Sequence, residues 1–186
     1  MSHVLFEWGE REESMFQIGQ LVIYGSEGVC RVENIGEPGI YRAERGRLYY
    51  TLRPLNRTGQ VMTPVDTAVL MRPVMEPQQA EELIASLPEL EPARIPAGGP
   101  RVTKEFCRDL LLGCDCRCLV GLIKALRAKR TAALRRGKQL NQMEESFLRR
   151  AEDALYGELG AALGLEREEL TQRMRRSDPD WPVNKA

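Results

Sequence analysis

Four of the five cysteines lie between Cys107 and Cys118, and Cys114-x-Cys116-x-Cys118 is the densest gathering of metal-ligating or nucleophilic side chains in the chain. Structural zinc sites separate paired ligands by about two to four residues across a turn. Here the gap is one residue, and no second pair with histidine follows. Cys116 and Cys118 also fall inside an expected helix, where residues two apart face different ways. Small-residue packing is therefore the expected role, with no metal and no cofactor. The one histidine, His3, stands near the N-terminus, so neither a Ser-His nor a Cys-His pair can be assembled in the folded body. The early glycines follow turn logic and do not open a helix as a phosphate-binding loop would. Asp66, after Pro64-Val65, reads as a turn residue. The chain is expected not to be an enzyme.

Charge is the second kind of chemistry available. The 186 residues carry 27 Lys and Arg against 27 Asp and Glu, but the balance is uneven. From Arg101 to Arg150 there are thirteen basic residues against five acidic ones, whereas Met71 to Pro100 has two against five. Arg101, Lys104 and Arg108 recur at helical spacing on one face, and a DNA-sized patch needs them near Lys124 and Arg127. A charge run is most often only a solvated face, and contacts of this kind hold phosphates without reading sequence.

The elements that must position these residues come in two halves. Leu21 to Tyr24 and Val29 to Ile35 are β-rich runs flanking Gly25-Ser26-Glu27-Gly28, the pattern of a hairpin. Leu48 to Leu55, Val61 to Asp66 and Ala68 to Met71 follow, broken by Gly and Pro, which suggests a small, strongly bent barrel over residues 15–75. Residues 1–14 read as an extension in which Trp8 has no assigned role. Pro77 opens a helix with Ala80, Leu83, Ile84 and Leu87 at helical spacing. Pro88 to Pro100, with four prolines and Gly98-Gly99, reads as a linker and domain boundary, so that residues 76–100 are helix plus linker.

Beyond it the period is helical through residues 101–176. One helix is expected over Val102 to Leu112, stopped by Gly113. A second covers Cys116 to Arg136, ended by Gly137, with Leu119, Leu122, Ile123, Leu126, Ala133 and Leu134 on one stripe and Arg117, Lys124 and Arg135 nearly opposite. A third begins at the capping residue Asn141, with Glu144 three residues on, and ends at Gly164. A short fourth spans Glu166 to Met174. The tail, residues 177–186, has no structural signal unless Trp181 docks back. The fold class is thus α+β in two domains, a β-barrel followed by an all-α half. No run is long and apolar enough to span a membrane, and the acidic start is unlike a secretory signal, so a cytoplasmic protein is expected.

Phe16-x-x-Gly19-x-x-Val22-x-Tyr24, Gly25 behind it, Tyr49-x-x-Leu52-x-Pro54-Leu55 and Thr63-Pro64-Val65-Asp66, in this order, resemble the opening module of CarD/CdnL-type bacterial transcription regulators. A related module occurs in the transcription-repair coupling factor. The order of the helices behind it, with Leu110-Leu111-Leu112-Gly113-x-Asp115 and Arg136-Gly137-Lys138-Gln139-Leu140, is similar to the second half of the same family. The resemblance implies a Tudor/SH3-like barrel that docks on the β subunit of RNA polymerase by strand addition. It also implies a helical domain that contacts promoter DNA and modulates open-complex stability, in a protein expected to be a monomer. On this alignment Met62 and Thr63 lie in the polymerase-facing strand, with Arg53 as a polar contact. Relatives tend to carry a basic residue where Met62 stands. They also place a tryptophan wedge where this chain has Pro100, so the DNA-facing candidates are Pro100, Arg101, Lys104, Arg108, Lys124 and Arg127. The alternative from another class is a protein-interaction adaptor whose helical half touches no DNA.

Overall fold

The hairpin signalled by paired glycines forms as Leu21–Tyr24 (β1) and Gly28–Gly36 (β2), antiparallel and joined by a short 3-10 turn at Gly25–Glu27. Gly28, at φ 74°, takes a left-handed backbone that side chains disfavour. Tyr49–Pro54 (β3), Val61–Pro64 (β4) and Met71–Pro73 (β5) complete one antiparallel sheet of order β4-β3-β2-β1-β5. The computed structural model describes residues 16–37, 46–113 and 115–181. His3, Trp8 and the rest of the N-terminal extension, Cys114, and the tail from Pro182 lie outside the described residues.

The sheet is open. Among the described residues no pairing of β4 with β5 closes it, so the strand hydrogen bonds do not confirm the small, strongly bent barrel that the turn spacing suggested. It is nevertheless curled: the Tyr24 hydroxyl on β1 donates to Thr63 Oγ1 on β4 at 2.9 Å, although β2 and β3 lie between them in the sheet. Val22, Cys30, Val32, Tyr50 and Leu52 fill the inner face. The Tyr50 hydroxyl accepts from the Phe16 amide at 3.0 Å, anchoring the entry to β1.

The chain divides into two compact units between Pro73 and Val74. Among the described residues the second holds five α-helices: Pro77–Ala85 (α1), Gly99–Gly113 (α2), Cys116–Arg135 (α3), Gln142–Leu163 (α4) and Arg167–Ser177 (α5). Ala80, Leu83, Ile84 and Leu87 are buried in its core, and the Ala93 amide donates to the Gly121 carbonyl at 2.8 Å. The proline-rich stretch 88–100 is therefore tied to the helical unit rather than separating two domains. Asp115 caps α3 by accepting from the amides of Arg117 and Cys118, and Asn141 caps α4 by accepting from Glu144 at 2.9 Å. Gly137 and Gly164 both sit at positive φ just past helix ends, as their positions predict. None of the helices among the described residues is long and apolar enough to cross a membrane.

The tail differs most from expectation. Helix α5 runs three residues beyond Met174, and Trp181 then folds back to become one of the largest fully buried side chains. Its indole Nε1 donates to the Tyr156 hydroxyl at 3.0 Å, and Ser177 Oγ donates to the Ile84 carbonyl at 2.7 Å. A polar run hides this docking, because one buried indole outweighs the lost freedom of a few polar residues. Trp181→Ala is expected to cost about 3–5 kcal/mol in urea unfolding. An unchanged unfolding midpoint would show that the tail contributes nothing.

Candidate functional site

Among the described residues strand β4 pairs with β3 on one side only, in the register Tyr49↔Pro64, Tyr50↔Thr63, Thr51↔Met62 and Leu52↔Val61. Its other side presents backbone N–H and C=O groups that a further strand could take. Alternation sends Thr63 inward and Met62 outward. Thr63 is 3 % exposed and receives the Tyr24 hydroxyl, whereas Met62 is 41 % exposed. Of the three residues assigned to this edge from sequence, Met62 thus offers a side chain and Thr63 only its backbone. Arg53 lies on the outer face of β3 and ion-pairs with Glu33. The opposite edge, β5, is three residues long and ends in Pro73, which has no N–H to give.

The outer face beside β4 carries a feature that sequence reading missed. The β2–β3 register slips between Val32 and Asn34, leaving Glu33 as an extra residue. The bulge puts Val32 and Ile35 on the core although they are three residues apart. Glu33 accepts from Gln60 Nε2 at 2.6 Å and from Arg53. The Val32–Ile35 spacing, which breaks period two, was the available signal.

In the helical unit the six DNA-facing candidates separate into two groups. Pro100, Arg101, Lys104 and Arg108 are all exposed on α2. Arg101 pairs with Glu105 at 3.6 Å and Arg108 with its neighbour Asp109 at 3.4 Å, both weak at the surface. Lys124 and Arg127, by contrast, are turned inward. Lys124 Nζ donates to the Leu87 carbonyl at 2.6 Å and pairs with Asp178 at 3.2 Å; the side chain of Arg127 is 13 % exposed and its Nε donates to Glu152 at 2.7 Å. These two do not belong to an exposed patch with α2. The cationic stripe expected opposite the α3 core stripe is interrupted at Lys124, because the turn after α1 and the C-terminal tail cover that side.

Exposed cations gather elsewhere, at the tip of the α3–α4 hairpin. Arg135, Arg136, Lys138 and Arg149 are exposed there and have no acidic partner among the described residues. Of these, Arg149 lines a cleft of about 640 Å³ whose wall also includes Arg130, Glu145 and Leu134, the last 59 % exposed. Charge counting covered this segment, but only the fold separates its free cations from those consumed inside.

Among the described residues no three His, Cys, Asp or Glu side chains gather to hold a metal. Cys107 and Cys116 are buried, Cys118 is half-buried, and Cys116 Sγ donates to the buried Glu158 carboxylate at 3.1 Å. Burial pushes the Cys30 thiol up to about 11. Burial first, and the Glu144 carboxylate second, raise Cys107, against a lowering by Lys129.

Residues 16–75 match the family model described as the CarD-like/TRCF RID domain. The first unit is a CarD-like/TRCF RID domain. It is an RNA polymerase β-interacting module, and it makes this chain an RNA polymerase-interacting, transcription-related protein. The match ends where the sheet ends, so the helical unit lies outside it. A search of curated proteins finds no match to the chain. Within the RID domain, the raised Cys30 pKa sets a pH dependence. The neutral thiol is favoured by folding, so its stabilisation is full below the unfolded value near 9 and is lost as pH rises toward about 11. Urea midpoints should fall across that window in the wild type and fall less in Cys30→Ala; equal slopes would remove the assignment.

Proposed function

We propose that this chain is a non-enzymatic bacterial transcription regulator that binds the RNA polymerase β subunit through the open edge of its RID domain. The single observation that carries the reading is β4, an edge strand in a matched RID domain with Met62 exposed at its centre. The curled sheet, with Tyr24 reaching Thr63 across it, supports a Tudor/SH3-like description of the module. A partner strand hydrogen-bonds to β4, Met62 packs on it, Thr63 contributes backbone, and Arg53 supplies a polar contact beside it. The protein acts as a cytoplasmic monomer and needs no cofactor.

The helical unit, on this reading, rests on promoter DNA near the tethered polymerase and modulates open-complex stability without reading sequence. Lys104, Arg101 and Arg108 on α2 remain candidates, and the free cations of the α3–α4 tip add phosphate contacts. Pro100 stands in the first turn of α2, exposed, where relatives carry a tryptophan. Proline can enter a base step but offers less stacking surface than an indole. One observation favours the adaptor alternative: Leu134, exposed within the cationic tip, is a side chain that a protein partner would cover.

Three measurements test this function. Met62→Glu should weaken binding of the full chain to a polymerase β-lobe fragment at least about tenfold, equivalent to roughly 1.4 kcal/mol, without lowering the melting temperature. Binding as tight as wild type would place the contact elsewhere. Changing Arg135, Arg136 and Lys138 together to Glu should reduce the log-log salt slope of DNA binding by up to about three. No DNA binding by the wild type at low salt would instead select the adaptor. Pro100→Trp should lengthen the life of open complexes challenged with competitor DNA, and an unchanged lifetime would separate α2 from the melted region.

A further inference from the structure

Helix α5 holds four arginines, and they are not alike. Arg173 pairs with Glu81 at 2.6 Å, and Arg167 pairs with Asp153 at 2.9 Å while its guanidinium lies 4.4 Å from the centre of the Tyr156 ring. Arg175 and Arg176 are exposed and have no acidic partner among the described residues. Asp178, just past the helix end, is buried and spent on Lys124. Both arginines line a cleft of about 760 Å³ that runs along α5 and is bounded by Pro179. Small-molecule sites have volumes of about 300–1,000 Å³, so the cleft is large enough for one.

Residues three and four apart are neighbours on a helix surface. Gln172, in the same cleft, therefore stands one turn before both Arg175 and Arg176. Two guanidinium forks and an amide converge there with no carboxylate to receive them, a donor set suited to the several oxygens of a phosphate. The other end has the opposite polarity. Glu168 lines the cleft one turn before Gln172, and Glu169 is exposed beside it. At a rise of about 1.5 Å per residue Glu168 lies about 10–12 Å along the axis from the two arginines, roughly the length of one nucleoside phosphate. A carboxylate at that place accepts from hydroxyl or amino groups and repels a second phosphate. Duplex DNA, with one charge per ~1.7 Å of its axis, fits a cleft of such divided polarity poorly. Arg167, held over Tyr156, adds a planar guanidinium at the acidic end on which a base can stack.

We propose that this cleft binds a small phosphate ester of nucleoside phosphate size, its phosphate between Arg175 and Arg176 and its hydroxyl or amino groups on Glu168. The site needs neither the β4 edge nor promoter contact, so it stands apart from the polymerase reading. Pro179 belongs to the segment that Trp181 docks, so an occupied cleft favours the docked tail and raises the melting temperature.

The test is calorimetric titration of the full chain with AMP, GMP, ATP and GTP, with inorganic phosphate, and with a duplex DNA oligonucleotide. At least one nucleotide should bind about tenfold or more tighter than inorganic phosphate, and raise the melting temperature. The double variant Arg175→Gln, Arg176→Gln should lose that binding about tenfold or more while keeping the melting temperature of the free protein. Glu168→Gln should bring nucleotide affinity down toward that of inorganic phosphate and leave phosphate binding as it was. Lys138→Gln, at the α3–α4 tip, should bind nucleotide as wild type does. No saturable binding of any of the four nucleotides, or unchanged binding in the double variant, overturns the site. Inorganic phosphate binding as tightly as the nucleotides overturns the assignment of Glu168. DNA binding that falls in the double variant, with no nucleotide binding, also overturns the proposal and gives the two arginines to a nucleic-acid surface.

Discussion

A sheet of five short strands with unjoined ends leaves two backbone edges, and how each is treated governs the rest of the RID domain. On β5 the edge is only three residues long and closes with proline, so it gives little to a partner. On β4 the inner face is fixed by Thr63 under the Tyr24 hydroxyl, while the outer backbone and Met62 stay open. The curl that brings β1 toward β4 buries the apolar face without pairing the edges. Core and binding edge are thus made by the same strand: alternate residues of β4 serve the one and the other.

The helical unit meets a different constraint, the burial of charge. Glu144, Glu152, Glu158 and Asp178 are nearly inaccessible. Lys129, Arg127 and Lys124 meet Glu144, Glu152 and Asp178, while Glu158 accepts from the Met75 amide and the Cys116 thiol. Removing one member of such a pair strands a charge in a poor solvent. The pairs therefore fix how α3 lies against α4 and the tail, and they withdraw two of the cations that a linear count assigns to the surface. Exposed cations remain at the α3–α4 tip, on α2 and on α5, where Arg175 and Arg176 are exposed.

Much of this was legible in the residues. The strand segments along the chain, Pro77, the Asn141 cap and the stops at Gly137 and Gly164 rest on local backbone preferences, which a sequence displays directly. The motif at Phe16 to Asp66 led to the RID domain for the same reason, since turn glycines and alternating apolar residues are local. The bulge at Glu33, the inward Lys124 and Arg127 and the buried Trp181 were not legible. Each depends on a partner distant in sequence: Glu33 on Arg53 and Gln60, Lys124 on Leu87 and Asp178, Trp181 on Tyr156. A helical wheel drawn for α3 treats everything opposite its apolar stripe as solvent, and it fails where a second and third element cover that side.

Strand addition at β4 is the central claim, and backbone amides report it most directly. Hydrogen exchange of the full chain, with and without a polymerase β-lobe fragment, should show new protection at Val61 to Thr63, with little change at Met71 to Pro73 and in the helical unit. Protection confined to β5 or to the helices, with β4 exchanging as in the free protein, would contradict the account.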